Sequence, residues 1–235
     1  MVVWLNCAAP GFAASAQRSG RAAVLARAGL CAQAKRRGYV PPRDVCSDAF
    51  WADVDGDGRR ELVLVYGRAL SASGSSPRAY GQTLAVVRRH GRELRARLRP
   101  SIPAPSVVAI GRLGMSRGAA LFVATDWSSS GPQVRVYSVF RGRLLDAGAA
   151  LSMGGDAASR FGFACVSSPR PEVIQNDYTL LGPNIYGRWR VTSFTYVWVG
   201  HTLRLASRSV QSYTGLPDAS ASRPGPGCGP LPVYG

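Results

Sequence analysis

Three aspartates, a glutamate and two glycines share the stretch 53-DVDGDGRRE-61. Counting Asp53 as position 1, carboxylates fall at 1, 3, 5 and 9 (Asp53, Asp55, Asp57, Glu61). Gly58 stands at 6 and Arg59 offers its backbone carbonyl at 7. Alternate side chains of such a turn point inward, the glycines permit the tight bend, and hard oxygen donors at this spacing suit Ca²⁺. Four carboxylates in one turn repel one another unless a cation neutralises them, so the loop reads as a structural, metal-stabilised element. An EF-hand requires a bidentate Glu at position 12 and a helix after it. Here Leu64 stands at 12, and the loop runs into the strand-like 62-LVLVY-66.

Chemistry elsewhere is thin. His90 and His201 each sit beside a glycine, where a hairpin turn is expected and a solvated role is the default. The chain carries no Ser-His-Asp order, no Gly-rich phosphate loop and no HExxH pattern, and no Cys or His pair has the spacing of a zinc site. The segment Asp126-Trp127-Ser128-Ser129-Ser130 follows a strand-like run and offers either a carbohydrate-facing loop or a core-capping Trp. A dense acid/base cluster outside residues 53–61 is missing, which favours a non-catalytic role over a polysaccharide lyase or hydrolase.

The elements that must position the loop are mostly strands. Apolar, β-branched runs recur as 62-LVLVY-66, 84-LAVV-87, 107-VVAI-110, 120-ALFVA-124, 134-VRVYSVF-140, 173-VIQNDYTLL-181 and 189-WRVTSFTYVWV-199. His90-Gly91, Arg141-Gly142 and Gly200-His201 separate pairs of them as hairpin turns do. One helix is expected over 19–37, with Val24, Ala28 and Cys31 on one face, Gly38 at its end and basic residues in its last turn. Placing 53–66 over 111–124 without a gap aligns two apolar runs, and 172-EVIQ-175 then takes the place of 61-ELVL-64. Each unit continues into a hairpin, so the expected fold is all-β, with three four-stranded, propeller-blade-like repeats after a short N-terminal helix. A plain β-sandwich is the alternative.

The loop and the strand after it resemble the calcium loops of FG-GAP and VCBS repeats, the blade units of integrin-α-like propellers and of many exported bacterial proteins. In that pattern D-x-D-G-D-G-x-x-[DE] links two strands of a blade. The resemblance is specific over residues 48–67 and only topological in the other units. It implies Ca²⁺ held by Asp53, Asp55, Asp57, Glu61 and the carbonyl of Arg59. In the second unit Gly111, Leu113, Met115 and Ala119 replace ligands, and in the third only Glu172 remains. Three units are fewer than the four or more blades of a closed propeller, so an incomplete or compact propeller-like body is expected. The resemblance further implies a bacterial secreted or cell-envelope protein that mediates binding or adhesion.

Residues 1–16 are mildly apolar and end in Ala14-Ser15-Ala16, a pattern that a signal peptidase cleaves. Residues 17–47 then form the helix and a linker, 48–215 the repeat-built β domain, and 216–235 an irregular Pro/Gly-rich tail. Cleavage would leave Cys31, Cys46, Cys165 and Cys228, an even set with three connectivities. Proximity favours Cys31–Cys46, and Cys165–Cys228 would then staple the tail to the core. The net charge is +16, but only Lys35 is a lysine and the arginines are scattered through every segment. No aromatic stacking platform accompanies the densest cluster, Lys35-Arg36-Arg37, which argues against nucleic acid. An anionic envelope or matrix glycan, or a protein, fits better as a partner. No run of 18 apolar residues predicts a membrane span. Oligomeric state is not legible.

Overall fold

The computed structural model describes residues 26–70, 79–88, 91–101, 104–112, 118–166, 171–217, 219–222, 224–225 and 227–230. Ala14-Ser15-Ala16, Val24, His90, Leu113, Met115 and residues 231–235 lie outside them. The described chain is all-β apart from one α-helix, α1 (26–36), and a short 3-10 turn, Ala219–Ser222. The strands, in chain order, are β1 (Val45–Ala52), β2 (Glu61–Gly67), β3 (Ala69–Leu70), β4 (Ala79–Val87), β5 (Glu93–Ser101), β6 (Ser106–Arg112), β7 (Ala119–Ser128) and β8 (Gly131–Phe140). They continue as β9 (Arg143–Ser152), β10 (Gly154–Gly155), β11 (Ser159–Val166), β12 (Glu172–Leu180), β13 (Arg188–Val199), β14 (Thr202–Thr214) and β15 (Cys228–Pro230).

These strands form three antiparallel sheets, each built on a four-stranded meander. Sheet I runs β1-β2-β4-β5, and the short β3 prolongs β2 along β4. Sheet II runs β6-β7-β8-β9, and sheet III β11-β12-β13-β14 with β10 on its edge. The repeat alignment meets this topology at the second strand of each meander, where β2, β7 and β12 begin at Glu61, Ala119 and Glu172. All seven expected runs fall in strands, except that β12 stops one residue short of Leu181. The tail departs from expectation. Cys228–Pro230 is a strand on the free edge of β6, where its backbone groups gain partners that an irregular arm would leave to water.

Layering explains the sequence pattern. Val63 and Val65 of β2 face sheet II in one core, while Leu62, Leu64 and Tyr66 face α1 in another. In β7, Leu121 and Val123 pack toward sheet I, whereas Ala120, Phe122 and Ala124 pack toward sheet III. A strand covered on both faces has no reason to alternate with polar residues, which is why LVLVY and ALFVA are unbroken. The order of layers is therefore α1, sheet I, sheet II, sheet III.

Helix α1 ends in a left-handed Gly38 (φ 76°), with Tyr39 N–H donating to Ala34 O and Gly38 N–H to Lys35 O. The face it buries differs from the expected one. Ala28 is exposed, and Arg27, Leu30, Cys31 and Ala34 turn toward the sheet. Arg27 is drawn inward because Asp48 of β1 is buried beneath it, with Arg27 Nη1 3.1 Å from Asp48 Oδ1. Asp48 Oδ2 also accepts the N–H of Val107 at 2.9 Å, so one carboxylate joins helix, sheet I and sheet II. Burial pushes its pKa up, and the Arg27 charge opposes that shift.

Two disulfides fix the ends. Cys31–Cys46 ties α1 to β1, and Cys165–Cys228 ties β11 of sheet III to β15 on sheet II. The pairing favoured by sequence proximity is the one present.

Candidate metal centre and its adjoining cavity

Residues 53–60 connect β1 to β2, and the local sequence closes the turn on itself. Gly56 and Gly58 adopt φ of 80° and 83°, a region that side chains strain to enter. Asp53 Oδ1 accepts the N–H of Gly56 at 2.8 Å, and its Oδ2 that of Gly58 at 3.2 Å. Glu61, buried at the start of β2, reaches back to the N–H of Val54 at 2.7 Å. The loop rests on sheet II at Gly118, where an added Cβ would overlap the Val54 carbonyl.

Three of the expected ligands converge. One carboxylate oxygen each from Asp53, Asp55 and Glu61 lies within 4.8 Å of the others. Asp57 stands apart from this group. It is exposed, and its Oδ1 accepts the N–H of Arg59 at 2.8 Å, so it shapes the turn that carries the Arg59 carbonyl. The donor set is all oxygen and partly buried, which suits a hard cation such as Ca²⁺. Burial, followed by the charges of Asp55 and Asp57, raises the pKa of Glu61 against the Val54 hydrogen bond. A cation would relieve that repulsion. Part of this work falls to Arg88 at the end of β4, whose guanidinium pairs with Asp55 Oδ2.

Beside the loop opens a cavity of about 540 Å³. Its walls come from Gln33, Arg37 and Tyr39 around the end of α1, Trp51 on β1, and Asp55, Asp57, Arg59, Arg60, Glu61 and Leu62 in and after the loop. Among the described residues, Val87, Arg88, Gly91 and Arg92 at the β4–β5 connection also line it. Sequence reading missed this gathering, and the expectation about Lys35-Arg36-Arg37 needs correction. Arg37 does have aromatic neighbours in the cavity, Tyr39 and Trp51. The second belongs to another element and is brought there by the α1–β1 packing that Cys31–Cys46 secures. Trp51, 46 % exposed between the buried Phe50 and Ala52, is the ring that sequence reading passed over.

No family model, curated protein or solved structure matches the chain. Function therefore rests on the chemistry of the site.

The other sequence candidates are scattered. Asp126 sits at φ 47° beside a smaller cavity of about 170 Å³ that Arg97, Arg135 and Asp146 also line. Trp127 is 36 % exposed near the end of β7. His201 lies in the β13–β14 turn, its ring 5.4 Å from that of Phe140. Neither group reaches the acidic loop's cavity.

Proposed function

We propose that this chain is an exported, calcium-stabilised β-repeat module that binds or adheres at the bacterial cell surface and catalyses nothing itself. Its three meanders are then blade-like units of the FG-GAP/VCBS type, in an incomplete propeller-like body whose first outer face is taken by α1. The observation that carries this reading is the meeting of Asp53, Asp55 and Glu61 between the first two strands of a meander. Asp53, Asp55 and Glu61 would hold the ion, and the carbonyl of Arg59 would complete the set that the resemblance implies. When bound, Ca²⁺ supplies charge neutralisation and fixes the turn.

Each carboxylate of the loop already serves the loop's own hydrogen bonds or Arg88, so none is poised for proton transfer. The two disulfides are compatible with an oxidising compartment, and among the described residues no helix is long and apolar enough to cross a membrane. The arginine-rich surface points to an anionic envelope or matrix glycan as ligand, with a protein partner as the other choice.

The test is thermal unfolding in calcium and in EDTA. Millimolar calcium is expected to stabilise the protein by about 1–2 kcal/mol for an affinity near 10⁻⁴ M, and Asp55→Ala to abolish the effect. Equal melting temperatures in the two buffers would end the calcium reading.

A further inference from the structure

We propose that the cavity beside the acidic loop binds a uronate-bearing saccharide, held by arginines at its carboxylate and by Trp51 and Tyr39 at its ring. The proposal rests on the binding reading above and gives it a place and a ligand class.

The cavity's volume of about 540 Å³ falls within the ~300–1,000 Å³ usual for small-molecule sites and exceeds what one ion needs. Arg37, Arg59, Arg60, Arg88 and Arg92 line it, against the carboxylates of Asp55, Asp57 and Glu61. Five positive groups and three negative ones leave a formal surplus of two. Arg88 pairs with Asp55, while the other four arginines form no salt bridge among the described residues. A guanidinium presents a planar fork of donors that matches a carboxylate two bonds at a time. Several such forks around one cavity describe an anion's surroundings.

The rings narrow the class. Trp51, at 46 % exposure, is a large apolar surface left in water, and the C–H face of a pyranose would cover it while an isolated anion would not. The carboxylates decide between the two stacking anions, an acidic sugar and a nucleic-acid strand. Asp57 is exposed, and its second oxygen can accept a sugar hydroxyl, whereas a DNA backbone has no free hydroxyl to offer it. Guanidinium donors and a carboxylate acceptor around the same cavity fit a ring that carries one carboxylate and several hydroxyls.

The experiment titrates a uronate tetrasaccharide, a neutral tetrasaccharide of the same linkage and a single-stranded DNA oligomer into the folded protein in calcium, by calorimetry. The uronate is expected to bind and the other two to bind at least about tenfold more weakly. Trp51→Ala and the double variant Arg60→Ala/Arg92→Ala should each weaken uronate binding about tenfold or more without lowering the melting temperature. Arg188→Ala/Arg204→Ala, on exposed positions of sheet III, should leave it unchanged. If the wild type binds uronate and the cavity variants bind equally well, the cavity assignment is overturned while the binding function stands. Equal or tighter binding of the neutral sugar or of DNA overturns the ligand class. Absence of uronate binding to the wild type overturns this inference, while the calcium response tests the reading beneath it separately.

Discussion

Asp48 shows how much one side chain organises here. Its carboxylate and the Arg27 guanidinium are 0 % and 7 % exposed, and removing one partner of a buried pair strands the other charge. Arg27→Ala is expected to cost about 3–5 kcal/mol in chemical denaturation; a loss no greater than that of a surface pair would show the contact to be idle. None of this was legible beforehand. Asp48 lies outside the acidic loop in a stretch with no motif, and an arginine in an alanine-rich helix reads as solvent-facing. Spacing reveals which residues share a turn, so Asp53, Asp55 and Glu61 could be found. It is silent on partners such as Arg88, which belong to another strand and arrive through the register β2 keeps with β4.

The strands divide into those the sequence announces and those the fold imposes. β2 and β7 are visible because burial on both faces writes unbroken apolar runs, whereas β12 mixes polar residues into its run, and the shared place of the three in the topology made the repeat alignment land on their first residues. β15 is imposed. Cys228-Gly229-Pro230 has no strand signal of its own, and it pairs because the disulfide delivers it to the open edge of β6. The β10–β11 connection was equally silent, yet Asp156 locks it by accepting the N–H groups of Ala158 and Ser159 and the Ser159 hydroxyl. Those bonds hold the Asp156 pKa below its ordinary 3.8. A depressed folded pKa means a contribution that is complete above the unfolded value and fades as pH falls through the folded one. Asp156→Ala should therefore lower the melting temperature at neutral pH, by a difference that shrinks as the solution is taken below pH 3.8. A pH-independent difference would contradict this account of the turn.

Across the whole molecule, α1 and sheets I to III form a stack with sheet II between its neighbours, and the two covalent links sit at different joints of it. On the loop-entropy model, the separations of 15 and 63 residues correspond to about 3 and 4 kcal/mol. Replacing Cys165 and Cys228 together by alanine should cost the larger amount in denaturant while leaving the calcium response of the loop in sheet I intact. Loss of that response would mean that the stack unfolds at one end when cut at the other. The position of β15 also sets a timetable. A chain made from its N-terminus can pair α1 with β1 and oxidise Cys31–Cys46 early, as soon as sheet I forms. The edge of sheet II stays bare and the Cys165 thiol waits until Cys228, 63 residues later, has been synthesised, so the lock between sheets II and III closes after both sheets' strands exist. Acid-trapping of refolding samples should find Cys31–Cys46 as the first single-disulfide species, and a chain stopped before Cys228 would carry a permanent odd thiol at the joint between sheets II and III.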